Sequence, residues 1–129
     1  MSKSISAALL GLGTVGYGVR RLLEENRGIN IEIKKILVRQ PEKHGDIDPG
    51  LLTTDLDGII SDPGIELVIE AMGAGAFGYA AIRRSLVSGK SVITADKEIV
   101  ARHLPELSTL AEARDARFYF EAAAGGAVP

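Results

Sequence analysis

Three glycines near the start of the chain carry the clearest chemical signal in the sequence. Gly11, Gly13 and Gly16 form the pattern G-x-G-x-x-G, which follows an apolar run and precedes an amphipathic helix pattern. In this context Gly11 permits a tight turn, Gly13 leaves the backbone open to a pyrophosphate, and Gly16 lets the helix pack closely on the strand. The helix N-terminus adds unpaired N–H groups and a partial positive charge. We therefore predict a dinucleotide-binding turn; the alternative is a plain glycine-rich turn.

The end of the second predicted strand bears on which dinucleotide is bound. A site selective for NAD places Asp or Glu about 20 residues beyond the glycines, where it binds the ribose 2′-OH. This chain has Arg39 and Gln40 at that place and no carboxylate. The Arg39 guanidinium could pair with a 2′-phosphate, and Lys43 or His44 could add to that contact. The sequence favours NADP over NAD as the cofactor; the alternative is that Arg39 is a solvated loop charge.

Two later loops follow strands and should reach the same edge of the sheet. The loop after the third strand is built from small residues, among them Gly73, which suit close passage of a cofactor or simply the start of a helix. We expect Glu70, at the end of that strand, to bond loop N–H groups rather than to act in catalysis. Lys97 follows the next strand and could bind an anionic substrate or move a proton. The alternative is an N-capping Asp96 followed by an exposed lysine.

Short apolar runs alternate with helical patterns along the whole chain. Strands are predicted at residues 4–10, 29–38, 67–69, 91–94 and 117–121. Helices are predicted at residues 14–27, 51–60, 75–88, 96–102 and 105–116, and a loop at 39–50. This alternation predicts an α/β fold: a Rossmann-like, doubly wound, mainly parallel sheet with helices on both faces.

Composition excludes several classes of function. The chain has 129 residues with a net charge of −2 and no Cys, which removes disulfides and thiolate chemistry. His44 and His103 lie far apart, so we expect no metal site. The near-neutral charge gives no reason to expect nucleic acid as a partner. Residues 4–19 are uncharged but shorter than the roughly 18–20 apolar residues of a membrane span, so we expect a cytoplasmic protein without a membrane partner.

The chain resembles homoserine dehydrogenase, in the N-terminal NAD(P)-binding domain of that family. The resemblance spans nearly the whole chain and rests on residues 11–16, 68–73, 88–97 and 120–129. The last two of these segments, in this order and spacing, are more specific than the glycine motif. The resemblance implies an oxidoreductase that uses NAD(P) to interconvert L-homoserine and L-aspartate 4-semialdehyde, in the biosynthesis of threonine and methionine.

The resemblance also assigns roles to individual residues. It implies that five residues of the first turn line the pyrophosphate: Gly11, Gly13, Thr14, Val15 and Gly16. It makes Arg39 the 2′-phosphate contact and places Thr94 and Ala95 near the nicotinamide. Lys97 matches a lysine implicated at the family's active site. Three residues match the segment that links the cofactor and substrate sites: Glu121, Gly125 and Pro129.

Two residues depart from the family pattern, and one domain of the family does not appear. Asp96 stands where the family usually has Asn, and Ala74 stands where it usually has the second glycine of a pair. The substrate domain of the family, which supplies the main catalytic lysine and carboxylates, would follow residue 129. We therefore expect residues 1–129 to be a truncated dinucleotide-binding domain that does not turn over homoserine by itself, because nothing orients the substrate. For the full-length protein, we expect a small-molecule substrate and a homo-oligomer.

Two other functions stay open at this point. One is the coenzyme domain of another oxidoreductase, such as an aspartate dehydrogenase or a sugar dehydrogenase. A sugar dehydrogenase would favour a Glu-Lys-Pro-like segment at 95–97, where this chain has Ala-Asp-Lys. The other is a non-catalytic, nucleotide-sensing module with a Rossmann-like fold, because a fold alone does not determine function.

Overall fold

The chain folds around one parallel sheet in the computed structural model, which describes residues 4–25, 28, 30–73 and 75–120. The described strands are β1 (Ile5–Leu10), β2 (Ile31–Leu37), β3 (Leu52–Thr53), β4 (Leu67–Glu70), β5 (Ser91–Thr94) and β6 (Phe118–Phe120). They lie in the order β3-β2-β1-β4-β5-β6, and every neighbouring pair is parallel. From β1 the chain moves first to one side and then to the other. A crevice for a ligand forms at the carboxyl end of such a strand.

Helices cover both faces of the sheet, as the sequence predicts. They are α1 (Thr14–Glu25), α2 (Leu56–Ile60), α3 (Ala76–Val87) and α4 (Lys97–Ala113). One apolar cluster joins the sheet to α2, α3 and α4, and a second joins the opposite face to α1. The predicted doubly wound α/β fold is therefore confirmed. In the part of the chain that the structure describes, no helix combines the length and apolar character that crossing a bilayer requires.

Strand β1 is the centre of this core, and its sequence explains why. Ala8 and Leu10 point into the cluster shared with α3 and α4, whereas Ala7 and Leu9 point into the cluster shared with α1. All four side chains are fully buried. A strand covered on both faces is continuously apolar rather than alternating, so the run before the glycine motif is a consequence of its central position.

The prediction of a helix over residues 51–60 is wrong in its first half. Leu52–Thr53 instead form β3, a sixth strand that pairs with the end of β2, and α2 begins only at Leu56. The pairing satisfies backbone groups at the edge of β2, and the Val38 amide continues it by donating to the Thr53 carbonyl at 2.9 Å. The predicted loop 39–50 also contains short 3-10 turns.

The two helices predicted on either side of Pro105 are one continuous helix, α4. Proline inside a helix removes one hydrogen bond and costs about 3 kcal/mol. Ile99, Leu107 and Ala111 nevertheless lie on one buried face that spans the proline. Burial of this common face against the sheet and α3 offsets the cost, so tertiary packing overrides the local signal.

Candidate dinucleotide-binding cleft

A cleft of about 960 Å³ opens at the carboxyl edge of the sheet, where β1, β2 and β4 end. Its walls are formed by residues 11–13, 37–39, 71–73 and 75–78, together with His44 and Thr54. Arg39 is the only Lys or Arg among these described lining residues, and none of them is Asp or Glu. The cleft therefore presents a polar backbone and positive charge, which suits an anionic ligand.

Gly11 forms the floor of the cleft and can only be glycine. Its φ is +99°, in the left-handed region, and its amide donates to the Leu37 carbonyl at 2.9 Å. A Cβ at this position would lie 2.8 Å from the Ala71 carbonyl oxygen and 2.9 Å from Met72 Cγ. The predicted role of Gly11 in a tight strand-to-helix turn is confirmed.

Gly16 lies beneath the cleft, where α1 crosses the turn. A Cβ at this position would collide with the Gly11 carbonyl oxygen. Gly16 is buried and does not line the cleft. It confirms the prediction of close packing between helix and strand, because it holds α1 against the turn.

Gly13 has the opposite surroundings. It lines the cleft, and a Cβ built on it meets no atom within 4 Å. The Tyr17 amide donates to the Gly13 carbonyl at 2.9 Å, so α1 begins directly at this residue. The first amides of a helix have no partner within it, and here they start beside the open space over Gly13.

The loop after β4 is fixed by the buried carboxylate of Glu70. Its Oε2 accepts a hydrogen bond from the Met72 amide at 2.8 Å, which confirms the prediction that Glu70 bonds loop N–H groups. Its Oε1 accepts from the Thr94 hydroxyl at 2.6 Å, across to the end of β5. Burial raises the pKa of Glu70 above its ordinary value, and the bonds from Thr94 and Met72 oppose that rise. Glu70 thus joins two strand ends.

Asp96 and Lys97 begin α4. One Asp96 carboxylate oxygen accepts from the Glu98 and Ile99 amides, at 3.0 and 3.2 Å, so Asp96 is an N-cap, the alternative considered from the sequence. Its other oxygen is buried and has no hydrogen-bond partner among the described residues. Lys97 is exposed at the first position of the helix and does not line the cleft.

Four of the sequence-predicted cofactor residues meet in the cleft: Gly11, Gly13, Arg39 and Gly73. Three others line a separate depression of about 250 Å³ between α1 and the ends of β4 to β6: Val15, Thr94 and Ala95. Thr14 and Gly16 line neither of these two hollows. Gly125, like Glu121, Pro129 and Ala74, lies outside the described residues. The cofactor roles of all these residues remain predictions.

The sequence did not point to two side-chain groups at the carboxyl edge of the sheet. The Thr94–Glu70 bond joins residues far apart in the chain, and neither residue type nor spacing signals it. Tyr17 on α1 contacts His44 and Asp46 in the segment after β2, at 3.2 and 3.1 Å. The sequence suggests His44 as an additional phosphate contact, but only the fold shows that Tyr17 anchors it to α1. The described residues contain no group of three or more acidic or His side chains suited to a metal ion.

Known proteins similar to this chain also point to a dinucleotide-binding domain. Residues 11–121 match the family described as "Homoserine dehydrogenase, NAD binding domain". A homoserine dehydrogenase of Synechocystis is 35% identical to the chain over 98% of its length, which is 31% of that relative. The chain thus spans about a third of the relatives that it matches.

Solved structures give the same result. The crystal structure of S. aureus homoserine dehydrogenase at pH 7.0 matches 95% of this chain and 33% of its own, with a TM-score of 0.85 and 39% identity. The structure of a homoserine dehydrogenase from Thiobacillus denitrificans matches 94% of this chain and 30% of its own, with a TM-score of 0.84 and 34% identity. The resemblance stated from the sequence is therefore confirmed.

Proposed function

Because the chain belongs to the family of homoserine dehydrogenase NAD-binding domains, we propose that its cleft holds NADP in preference to NAD, with the pyrophosphate over Gly13. The open space at Gly13 carries this proposal, because it lies at the start of α1 in a cleft whose described lining residues include no carboxylate. The family match favours the coenzyme domain of a homoserine dehydrogenase over that of another oxidoreductase and over a nucleotide sensor.

The pyrophosphate site is formed mainly by backbone. Gly13 lets the chain approach the phosphates, and the amides of Thr14, Val15 and Gly16 offer hydrogen bonds at the positive end of the helix. Gly11 shapes the turn below them. A doubly charged group would gain from these donors without any cationic side chain.

We assign the adenosine half of the cofactor to the cleft wall formed by the end of β2. Arg39 is exposed there and forms no ion pair with any side chain that the structure describes. Its planar guanidinium is suited to bind a phosphate with two hydrogen bonds. On the opposite wall Gly73 has a φ of +88°, and its Cα faces open space. A cofactor can therefore pass close to the loop after β4.

The nicotinamide half is assigned to the ends of β4 and β5. The bound cofactor supplies the ring carbon that accepts or donates a hydride. Thr94 is 1% exposed and is fixed by Glu70, so it acts on the ring through the position of Ala95 and the β5 end. We assign Lys97 to the active site, where its ammonium would attract the carboxylate of the substrate, and Gly125 to the segment linking the two sites.

For the full-length protein we extend the proposal to catalysis. It would be an oxidoreductase that interconverts L-homoserine and L-aspartate 4-semialdehyde, in the cytoplasmic biosynthesis of threonine and methionine, as a homo-oligomer. The relatives named homoserine dehydrogenase support this assignment. In the oxidative direction the oxidised cofactor would accept the hydride that the alcohol carbon gives up, and a base would accept the proton of the hydroxyl.

Replacing Arg39 by glutamine should separate the two cofactors. We expect Arg39→Gln to raise the Kd for NADPH about 10- to 100-fold, because a charge-assisted contact contributes about 1.5–3 kcal/mol. The Kd for NADH should change by less than about twofold. Calorimetric titration of both dinucleotides measures this difference.

The matched control is Arg114→Gln, which removes the same charge at the C-terminal end of α4. That end lies at the amino edge of the parallel sheet, away from the cleft, so both affinities should stay unchanged. Tighter binding of NADH than of NADPH by the unmodified chain would overturn the NADP preference. An equal loss of both affinities in Arg39→Gln would also count against the assignment.

A further inference from the structure

A histidine on the cleft wall is held by a contact that fixes its chemistry. His44 is half-buried and lines the cleft. Its Nδ1 lies 3.2 Å from the Tyr17 hydroxyl oxygen, and that hydroxyl also lies 3.1 Å from Asp46 Oδ1. The three side chains link α1 to the segment that follows β2.

The direction of these hydrogen bonds follows from counting protons. A carboxylate only accepts, so the single Tyr17 proton goes to Asp46. The His44 Nδ1 must then carry a proton and donate it to the Tyr17 oxygen. Burial, and then the hydrogen bond to Asp46, raise the pKa of Tyr17, so that its hydroxyl keeps this proton.

This arrangement leaves Nε2 as the nitrogen that gains or loses a proton. Protonation adds a positive charge to the ring without breaking the bond to Tyr17, because Nδ1 donates in both states. The charge would appear on the cleft wall, on the same segment as Arg39.

Charged groups of both signs lie around His44. Asp46 is bonded to the far side of the Tyr17 hydroxyl, and Arg39 lines the same cleft as His44. Arg20 on α1 lies near enough to Tyr17 to lower the pKa of its hydroxyl, so it also faces this group. A dianionic phosphate entering the cleft would add a strong term in favour of the protonated ring.

We propose that His44 is a second determinant of cofactor specificity, which adds a positive charge for the 2′-phosphate when it is protonated. The contribution of His44 to the preference for NADPH over NADH then increases as the pH falls. This inference rests on the proposed function, because it requires the dinucleotide in the cleft. It goes further by making the selectivity depend on protonation, through a residue anchored to the helix that carries the pyrophosphate site.

The experiment compares the chain with its His44→Gln variant. Imidazole groups change charge between about pH 5 and 8, so the Kd values for NADPH and NADH are measured near both ends of about pH 6 to 8 at constant ionic strength. We expect the variant to bind NADPH about three- to tenfold more weakly than the wild type near the acidic end, and about equally near the basic end. Comparing two proteins cancels the titration of the phosphate itself.

Two comparisons make the result specific. Lys43→Gln removes a neighbouring charge that stays constant over this pH range, so any effect it has on NADPH should be independent of pH. NADH should bind equally to the wild type and His44→Gln at every pH, which also shows that the variant is folded.

The outcomes separate this inference from the proposed function. A ratio of NADPH affinities that does not change with pH would overturn the role of His44, as would an equal change for NADH. If neither dinucleotide binds the unmodified chain, the proposed function itself fails.

Discussion

Replacing Gly13 by valine should weaken binding of both dinucleotides at least about a hundredfold, or about 2.7 kcal/mol. Apart from its chain neighbours, no atom lies within 4 Å of a Cβ built at Gly13, so the side chain starts in open space. Its carbons instead occupy the space through which the pyrophosphate approaches the backbone. Titration calorimetry gives the loss of affinity, and urea denaturation should show a free energy of unfolding within about 1 kcal/mol of the wild type.

Gly18→Val is the control for this variant. Gly18 lies on the same helix, also faces open space and does not line the cleft. We expect it to leave NADPH and NADH binding unchanged. Undiminished binding by Gly13→Val would contradict the position of the pyrophosphate, and equal losses in both variants would mean that valine acts through the helix.

Replacing Gly16 by alanine should cost the fold about 2–3 kcal/mol, in the range of overpacking a tight interior. The added Cβ would collide with the Gly11 carbonyl oxygen, and backbone cannot move aside as a flexible side chain can. Helix α1 must therefore shift away from the turn. Chemical denaturation measures the loss of stability, and cofactor binding should weaken with it because the helix N-terminus moves.

Gly18→Ala tests whether this loss is steric. The same substitution two residues later on α1 meets open space, and alanine stabilises a helix interior by roughly 0.5–1 kcal/mol relative to glycine. The free energy of unfolding should therefore fall in Gly16→Ala and rise in Gly18→Ala. If Gly16→Ala left the free energy of unfolding unchanged, the close approach of α1 to Gly11 would not be needed for stability.

The central part of the fold could be predicted because its signals are local. The last four residues of β1, 7–10, are fully buried and form a continuous apolar run. The turn after them requires glycine at Gly11 for its backbone angle and at Gly16 for space. Both demands are met within a few residues. The sequence therefore places β1, the turn and α1 almost at their observed bounds.

The errors occur where distant parts of the chain decide the structure. Leu52–Thr53 form a strand only because the edge of β2 offers hydrogen bonds. Pro105 stays inside α4 because buried side chains on both sides of it pack on one surface. The local sequence shows neither the edge of β2 beside Leu52–Thr53 nor the surface on which α4 packs.

The candidate site shows the same division. Gly13 and Arg39 could be predicted from their spacing after strands, and the structure places both on the cleft. The Glu70–Thr94 bond and the anchorage of His44 by Tyr17 could not, since each joins residues more than 20 positions apart. The residue types indicate the chemistry of the site, whereas these long-range contacts fix where the side chains lie.

The pyrophosphate position is tested most directly by following the backbone amides by NMR while NADPH is added to the ¹⁵N-labelled chain. We expect saturable shifts of the amides of residues 13–16, with smaller ones at Arg39 and Gly73. Saturable binding of NADPH that leaves residues 13–16 unshifted would contradict the claim that the first turn and the start of α1 hold the pyrophosphate.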